Sequence, residues 1–255
     1  MMKRTLALTL TLAVAVGVTT AAAQVKTKVR VRVVSHDAKI IGTGVGGARV
    51  KVVDPATGKV LAAGIQKGGT GSTRSIVIEP VERGAPIFDT DGAAAVTFEL
   101  ELGEPTVLEF IGEGPLGHEH AIQRASKSLL VLPGEHVLGN GVVLELHGFI
   151  VELLEPTAIA AAAGTADVRV HVRMMCGCPL EPAGLWDADR LQVTVRIYAD
   201  GRMVREARLA YAGEPNIFTG RISLGGLSGG ERLVAVASDP TRANFGRSQE
   251  LWIKR

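Results

Sequence analysis

Two cysteines, two tryptophans and two tyrosines are all that a chain of 255 residues contains of those types. So few cysteines exclude a small disulfide scaffold, and so few aromatics leave no row of stacking platforms for single-stranded nucleic acid. An excess of one charge is lacking too. The chain holds 28 Lys plus Arg against 26 Asp plus Glu; residues 1–23 contribute Lys3 and Arg4 and no acid, so the remainder has 28 − 2 = 26 basic groups against 26 acidic ones. A neutral remainder carries no electrostatic footprint for nucleic acid. No nucleophile elbow, no H-E-x-x-H and no Ser/His/Asp grouping with a local signature occurs, so no motif names a reaction. Residues 25–155 lack any sustained helical period, which excludes a coiled coil.

What is present begins with an export segment. Met1 to Arg4 is a short basic start, Leu6 to Val18 is apolar apart from Thr9 and Thr11, and Ala21-Ala22-Ala23 precedes Gln24. This is the pattern of a secretory signal cleaved after small residues. The run is shorter than the ~20 apolar residues a bilayer span requires, and no Cys follows it for lipid attachment. The expected product starts near Gln24 and is a soluble periplasmic or secreted protein with no membrane span.

From Val25 the period is two. Val25, Thr27, Val29, Val31 and Val33 alternate with Lys26, Lys28, Arg30, Arg32 and Val34, as a strand with one buried and one wet face requires. Gly47 to Asp54, Lys59 to Gln66, Arg74 to Glu79, Ala93 to Leu102, Thr106 to Glu113, Ser128 to Leu132 and Val142 to Leu153 read as further strands between Gly, Pro, Asp and Asn clusters. Pro156 to Ala166 (PTAIAAAAGTA) is uncharged and Ala-rich, and reads as a linker holding one helical turn. Beyond it, Val168, Val170, Val172 and Met174 alternate with Arg169, His171, Arg173 and Met175. Leu191 to Tyr198, Met203 to Tyr211, Ile217 to Leu224, Arg232 to Ser238 and Gln249 to Lys254 follow, with Asp200-Gly201 as a tight hairpin. The expected architecture is all-β: a signal peptide over 1–23, one sandwich over 24–155, a linker over 156–166 and a second sandwich over 167–255.

Val45 to Val52 (VGGARVKV), Asp54 to Lys59 (DPATGK) and Asp89 to Phe98 (DTDGAAAVTF) resemble the G-x-x-V-x-V strand, D-x-x-T-G hairpin and later T-D-x-x-G-x-F strand of carboxypeptidase-regulatory-like, or transthyretin-like, seven-stranded modules. The resemblance implies a fold rather than an activity. Gln66 to Gly92 departs from it as a long excursion, whose Glu79, Glu82, Asp89 and Asp91 among Arg74 and Arg83 read as a solvated mixed-charge loop; Asp89 and Asp91 alone are too few for a calcium loop. The second block, by strand spacing and by Met174, Met175, Cys176 and Cys178, resembles the immunoglobulin-like domains of periplasmic copper-handling proteins. The resemblance implies soft-metal binding.

Chemistry concentrates in Met174-Met175-Cys176-Gly177-Cys178-Pro179, with His171 five residues before Cys176. Thiolates and thioethers favour copper(I). In a straight strand, residues two apart lie about 6.5 Å apart, near the limit for a disulfide, so a bridge here needs a turn at Gly177. Three readings stand: a disulfide or redox pair, a soft-metal site, or Met174 and Cys176 packed as apolar side chains. His118 and His120 share a strand face and are metal-ligand candidates, with two solvated imidazoles on an exposed loop as the default. Gly42 to Gly47 fits G-x-G-x-x-G but leads into a strand instead of a helix N-terminus. Lys67 to Thr73 lacks the order of a phosphate loop and reads as a mobile surface connection. Trp186 and Trp252 read as core or interdomain anchors. The expected function is that of a non-enzymatic binding protein holding copper through Cys176, Cys178 and Met174 or Met175. The alternative is a structural or adhesion module, its cysteines bridged and without metal, that meets an envelope or extracellular protein partner.

Overall fold

The structure, a computed structural model, describes residues 24–255, so the expected export segment lies outside the described residues. No helix among the described residues is long and apolar enough to cross a membrane.

The first unit is a two-sheet sandwich of seven strands. They are β1 (Val25–Ser35), β2 (Ala48–Val53), β3 (Val60–Gln66), β4 (Val96–Leu102), β5 (Thr106–Gly114), β6 (Gln123–Val131) and β7 (Val137–Leu146). One sheet runs β4-β1-β7 and the other β3-β2-β5-β6. The period-two pattern does what it must: Val29, Val31 and Val33 of β1 are fully buried and meet Val50, Val52 and Phe110 of the facing sheet in one core. β1 pairs antiparallel with β4 and parallel with β7.

Gln66 closes this sandwich where backbone alone cannot. Its side chain, fully buried, accepts from Val33 N at 2.7 Å and donates to Val33 O at 2.9 Å and Ile41 O at 2.8 Å. One amide thus satisfies three interior backbone groups.

The excursion after Gln66 is solvated at each charged residue named for it, as expected, but it is also tied down. Asp89 accepts from Arg30 at 2.6 Å and from the buried Arg32 at 2.8 Å, and hydrogen bonding from Arg32 holds its carboxyl below the ordinary range. Asn140 accepts from Phe88 N and donates to Ala85 O. The Lys67 to Thr73 connection, expected to be mobile, is bridged through Lys67 to Ala95 and through Gly69 to Ala93. Arg74 to Glu79, expected as a strand, forms a wide helical turn over Arg74–Ile78 instead. Its run of Ile76, Val77 and Ile78 has β-branched character but no neighbouring strand to pair with.

The second unit holds β8 (Phe149–Glu155), β9 (Ile159–Ala160), β10 (Thr165–Met174), β11 (Gln192–Ala199), β12 (Arg202–Arg208), β13 (Ala210–Tyr211), β14 (Ile217–Ser223), β15 (Arg232–Asp239), β16 (Asn244–Arg247) and β17 (Leu251–Lys254). One sheet runs β13-β14-β10-β8 and the other β12-β11-β15-β17-β9, with β16 also on β15. Two sheets in this order, antiparallel except for the β17–β9 pair, have the strand order of an immunoglobulin-like sandwich with an added strand, β12, at one edge. The hairpin at Asp200-Gly201 has φ of +48° and +77°, as its sequence requires.

The domain boundary differs from the expectation of a first sandwich over 24–155, a linker over 156–166 and a second sandwich over 167–255. β8 pairs with β10, from Glu155↔Arg169 to Phe149↔Met174, so it belongs to the second sandwich. Residues 156–166 are not a free linker: β9 pairs parallel with β17, a short helical turn follows over Ala161–Ala163, and Thr165 opens β10. They carry the chain from β8 to the edge of the opposite sheet of the second sandwich and back to β10, beside β8. The expected single strand Val142 to Leu153 breaks at His147-Gly148, where Gly148 has φ of +152° and the place of a Cβ is taken by Met175 Sδ, 2.9 Å away. That φ and that approach both require glycine.

Replacing Gln66 with Leu keeps the volume and removes all three bonds, which orphans Val33 N and Ile41 O, while Val33 O keeps the bond from Ile41 N at 3.0 Å. Each orphaned interior group costs about 1–3 kcal/mol, so Gln66→Leu is expected to lower stability by roughly 2–5 kcal/mol. Urea unfolding should show a lower midpoint at unchanged slope.

Candidate functional site

The residues singled out for chemistry all lie at the seam between the two sandwiches, but the structure divides them among three surroundings. Cys176 and Cys178 are joined as a disulfide across a turn, with Cα atoms 5.5 Å apart. Gly177 makes the turn at φ of +82°, its N–H donating to Met174 O at 2.8 Å, while Met174 N donates to Cys178 O at 3.2 Å. The turn shortens the straight-strand separation enough for a bridge. Both cysteines are buried, at 4% and 6% exposure, in the core of the second sandwich with Met174, Leu180 and Trp186.

Met175 does not join them. It is fully buried in the core of the first sandwich, beside Ile150. Successive residues of an extended chain face opposite ways, so Met174 fills one core and Met175 the other. The exchange is mutual, because Ala38 of the first unit packs in the second core. Trp186 pins the seam: it is 9% exposed, and its indole N–H donates to Asp37 O at 2.8 Å. Arg242 adds a polar tie, donating to Asp37 at 2.8 Å and to Asp239 at 2.7 Å. Burial pushes the Asp239 carboxyl up, but hydrogen bonds from Thr241 and Arg242 prevail and hold it below its ordinary value. Trp252, expected as an anchor, is 58% exposed with the Arg232 guanidinium over its ring. In the alternation of β17 Ile253 faces the core, which leaves Trp252 on the outward side.

Against Trp186 opens a cleft of about 340 Å³. Phe149, Met174, Leu180, Trp186 and Leu191 form its floor, Leu185 stands at its lip, and Asp37, Asp187, Arg190, Asp239 and Arg242 contribute charge. Asp37 comes from the first sandwich, so the cleft exists only where the two units meet.

The histidines gather on the outer face of β8 and β10. Glu152 is the register partner of His171 and takes His171 Nδ1 at 3.0 Å and His118 Nδ1 at 3.3 Å. Arg173 Nη2 donates to His118 Nε2 at 3.0 Å. A guanidinium only donates, so that Nε2 holds a lone pair and the ring proton sits on Nδ1, facing Glu152. The His118 ring is 14% exposed rather than solvated, and His120 Nε2 bonds Val151 O at 2.8 Å. The expected exposed pair of imidazoles is therefore a set of pins from the first unit to the second. Burial pushes the His118 pKa down; Glu152 pulls it up, and Arg173 and His120 push it down again. His171 and Met174 face opposite sides of β10, as their positions in the alternation dictate.

Sequence reasoning passed over Asp37, Leu180, Leu185 and Leu191, which acquire a role only when the seam forms. It also passed over His36, Glu145 and His147, whose donor atoms lie within 4.8 Å of one another. The E-x-H spacing of Glu145 and His147 at a strand end was the available signal.

No protein-family model matches the chain, and no curated protein matches it. Among solved structures the chain is similar to the chicken interferon gamma receptor alpha chain, at 12% identity and a TM-score of 0.29, covering 92% of this chain and 100% of that one.

Two outcomes are expected. In the native protein neither sulfur reacts with iodoacetamide, and the intact mass lacks two hydrogens relative to the reduced form; alkylation without prior reduction and unfolding would refute the sealed pair. The second concerns pH. His118 has a lowered pKa when folded, so the unfolded chain takes up its proton first, from about pH 6.5 downward. Its contribution to stability is complete above that value and declines as pH falls from there to the folded pKa. The thermal midpoint should drop between about pH 7.5 and about pH 5, and by less in His118→Gln.

Proposed function

We propose that the protein is an exported binding protein, working without catalysis, that takes a small amphipathic ligand into the cleft between its sandwiches. One observation carries this reading: the cleft sets apolar side chains beside a charged rim at a domain junction, with more polar than apolar surface open to a ligand, and domain junctions are a setting in which ligand sites are often built. The rim sets three carboxylates against two guanidiniums, which favours a ligand whose polar end is neutral or cationic. The seven strands of the first unit and the placement of its three turn motifs around β2, the β2–β3 hairpin and the approach to β4 support its likeness to carboxypeptidase-regulatory-like modules. Such a module would serve here as the wall that closes the cleft.

Copper(I) capture by Cys176 and Cys178 has less support. It requires a reduced pair, whereas the sulfurs are bridged. The further donors point apart, with Met174 in one core, Met175 in the other and His171 on Glu152. The bridged cysteines suit the structural alternative, in which the turn fixes Met174 and the cleft floor.

N-phenyl-1-naphthylamine, an uncharged apolar fluorophore, tests the proposal. Its emission should rise saturably at one molecule per chain, and Leu185→Glu, at an exposed lip position, should weaken binding by about tenfold, the cost of placing a charge against the apolar body. Absent saturation, or equal binding by a folded Leu185→Glu variant, would overturn it.

A further inference from the structure

Away from the cleft and the Glu152 pins, one group of donors among the described residues remains without a role. β1 and β7 run parallel with Val34↔Glu145 and Ser35↔Leu146 as their last register pairs. One step further brings His36 beside His147, and the pleat returns Glu145 to the same side as His147. The backbone fixes this step, His36 N donating to Leu146 O at 2.8 Å. The two imidazoles stack with ring centroids 3.8 Å apart and an interplanar angle of 16°.

Each ring is also held by its Nδ1. His36 Nδ1 lies 2.9 Å from Glu145 Oε1 and His147 Nδ1 lies 3.2 Å from Ala243 O. A carbonyl oxygen and an ionised carboxylate only accept, so both rings carry their proton on Nδ1 and leave Nε2 with its lone pair. For His147 that is the arrangement found behind metal-bound histidines, whose other nitrogen donates to a backbone carbonyl; at His36 the carboxylate on Nδ1 is itself a ligand candidate, so an ion would take the place of the proton shared between His36 Nδ1 and Glu145.

The geometry points to a binding site for a zinc-class divalent ion formed by His36, His147 and Glu145. All three donor atoms lie within 4.8 Å of one another, and side-chain rotation closes that to the spacing set by bonds of about 2.0–2.2 Å to one ion. Imidazole nitrogen with carboxylate oxygen selects zinc or copper(II) over calcium, which takes oxygen alone, and over copper(I), which prefers sulfur. Glu145 and His147 are exposed, so a fourth position stays open to water or to a group from a partner.

The position gives the ion a consequence. His147 is the last residue before Gly148 and the second sandwich, and its ring is already bound to Ala243 of that unit. An ion on its Nε2 ties β1 and β7 to this connection and holds the seam.

Calorimetric titration of the purified protein with zinc chloride in a non-chelating buffer tests the site. One zinc per chain is expected, with a rise in thermal midpoint. His147→Ala should weaken binding by about tenfold or more, and Glu145→Gln, at an exposed position that leaves the fold intact, should weaken it less. His171→Ala should leave it unchanged. The inference is overturned if zinc does not bind stoichiometrically, if both His147→Ala and Glu145→Gln bind as the parent does, or if His171→Ala alone abolishes binding. The cleft plays no part in this readout, so the naphthylamine result and the zinc result stand separately.

Discussion

Leu146 and Phe149 are both buried, yet they belong to different cores, and the placement of everything of chemical interest depends on that split. The chain must leave one sheet and enter another sandwich within the two residues between them. Gly148 makes this geometrically open by adopting a backbone conformation closed to other residues, with the Met175 thioether against it in place of a side chain. Asn244 caps the freed Gly148 N–H, so no interior donor is left unpaired at the crossing.

Because the crossing is so short, the two sandwiches interdigitate instead of hanging from a tether. Ile150 and Met175 fill the first core, and Ala38 enters the second. A seam with apolar residues exchanged both ways resists relative motion, whereas interfaces within one chain are by default small, polar and mobile. The Trp186 indole bond to Asp37 and the Arg242 pairs act on this packed base. Asp37 itself has φ of +51°, a region few residues other than Gly, Asn and Asp tolerate. Its carbonyl and carboxylate are thereby turned toward the second unit.

The strands were legible in the sequence wherever one face was wet. In β1 and β10 the alternation of Val with Lys, Arg or His marks the buried side residue by residue. It failed where the chain passes from one sandwich to the other. β7 keeps its alternation to the end, with Leu144 and Leu146 buried and Glu145 exposed, and the buried Phe149, Ile150 and Val151 of β8 follow after only two residues, so period-two reasoning sees one strand. The Ala tract after Pro156 misled for a different reason. Alanine signals neither a buried face nor a turn, so pairing of Ile159 with Ile253 from the far end of the chain leaves no local trace. The site divided along the same line. The turn at Gly177 and the closeness of Cys176 to Cys178 are local facts and could be read directly. The meeting of His118 with Glu152 and Arg173 depends on how two sheets dock, which no spacing records.

The confinement of the turn accounts for the Cys-Gly-Cys sequence. β10 must end beside the crossing, where Gly177 approaches Val45 of the first unit so closely that an added Cβ would lie 3.0 Å from its side chain. A turn there is confined, and its two flanking side chains are forced toward one another inside an apolar core. Two small apolar residues would fill that volume without fixing the turn; a covalent bridge fixes it with no polar group left to satisfy. Once fixed, the turn sets Met174 into the cleft floor, and Leu180 N, bonded to Asn216 Oδ1 at 2.7 Å, carries the chain on toward Trp186. The bridge thus acts through shape: it holds the floor of the cleft, against which the proposed ligand would pack.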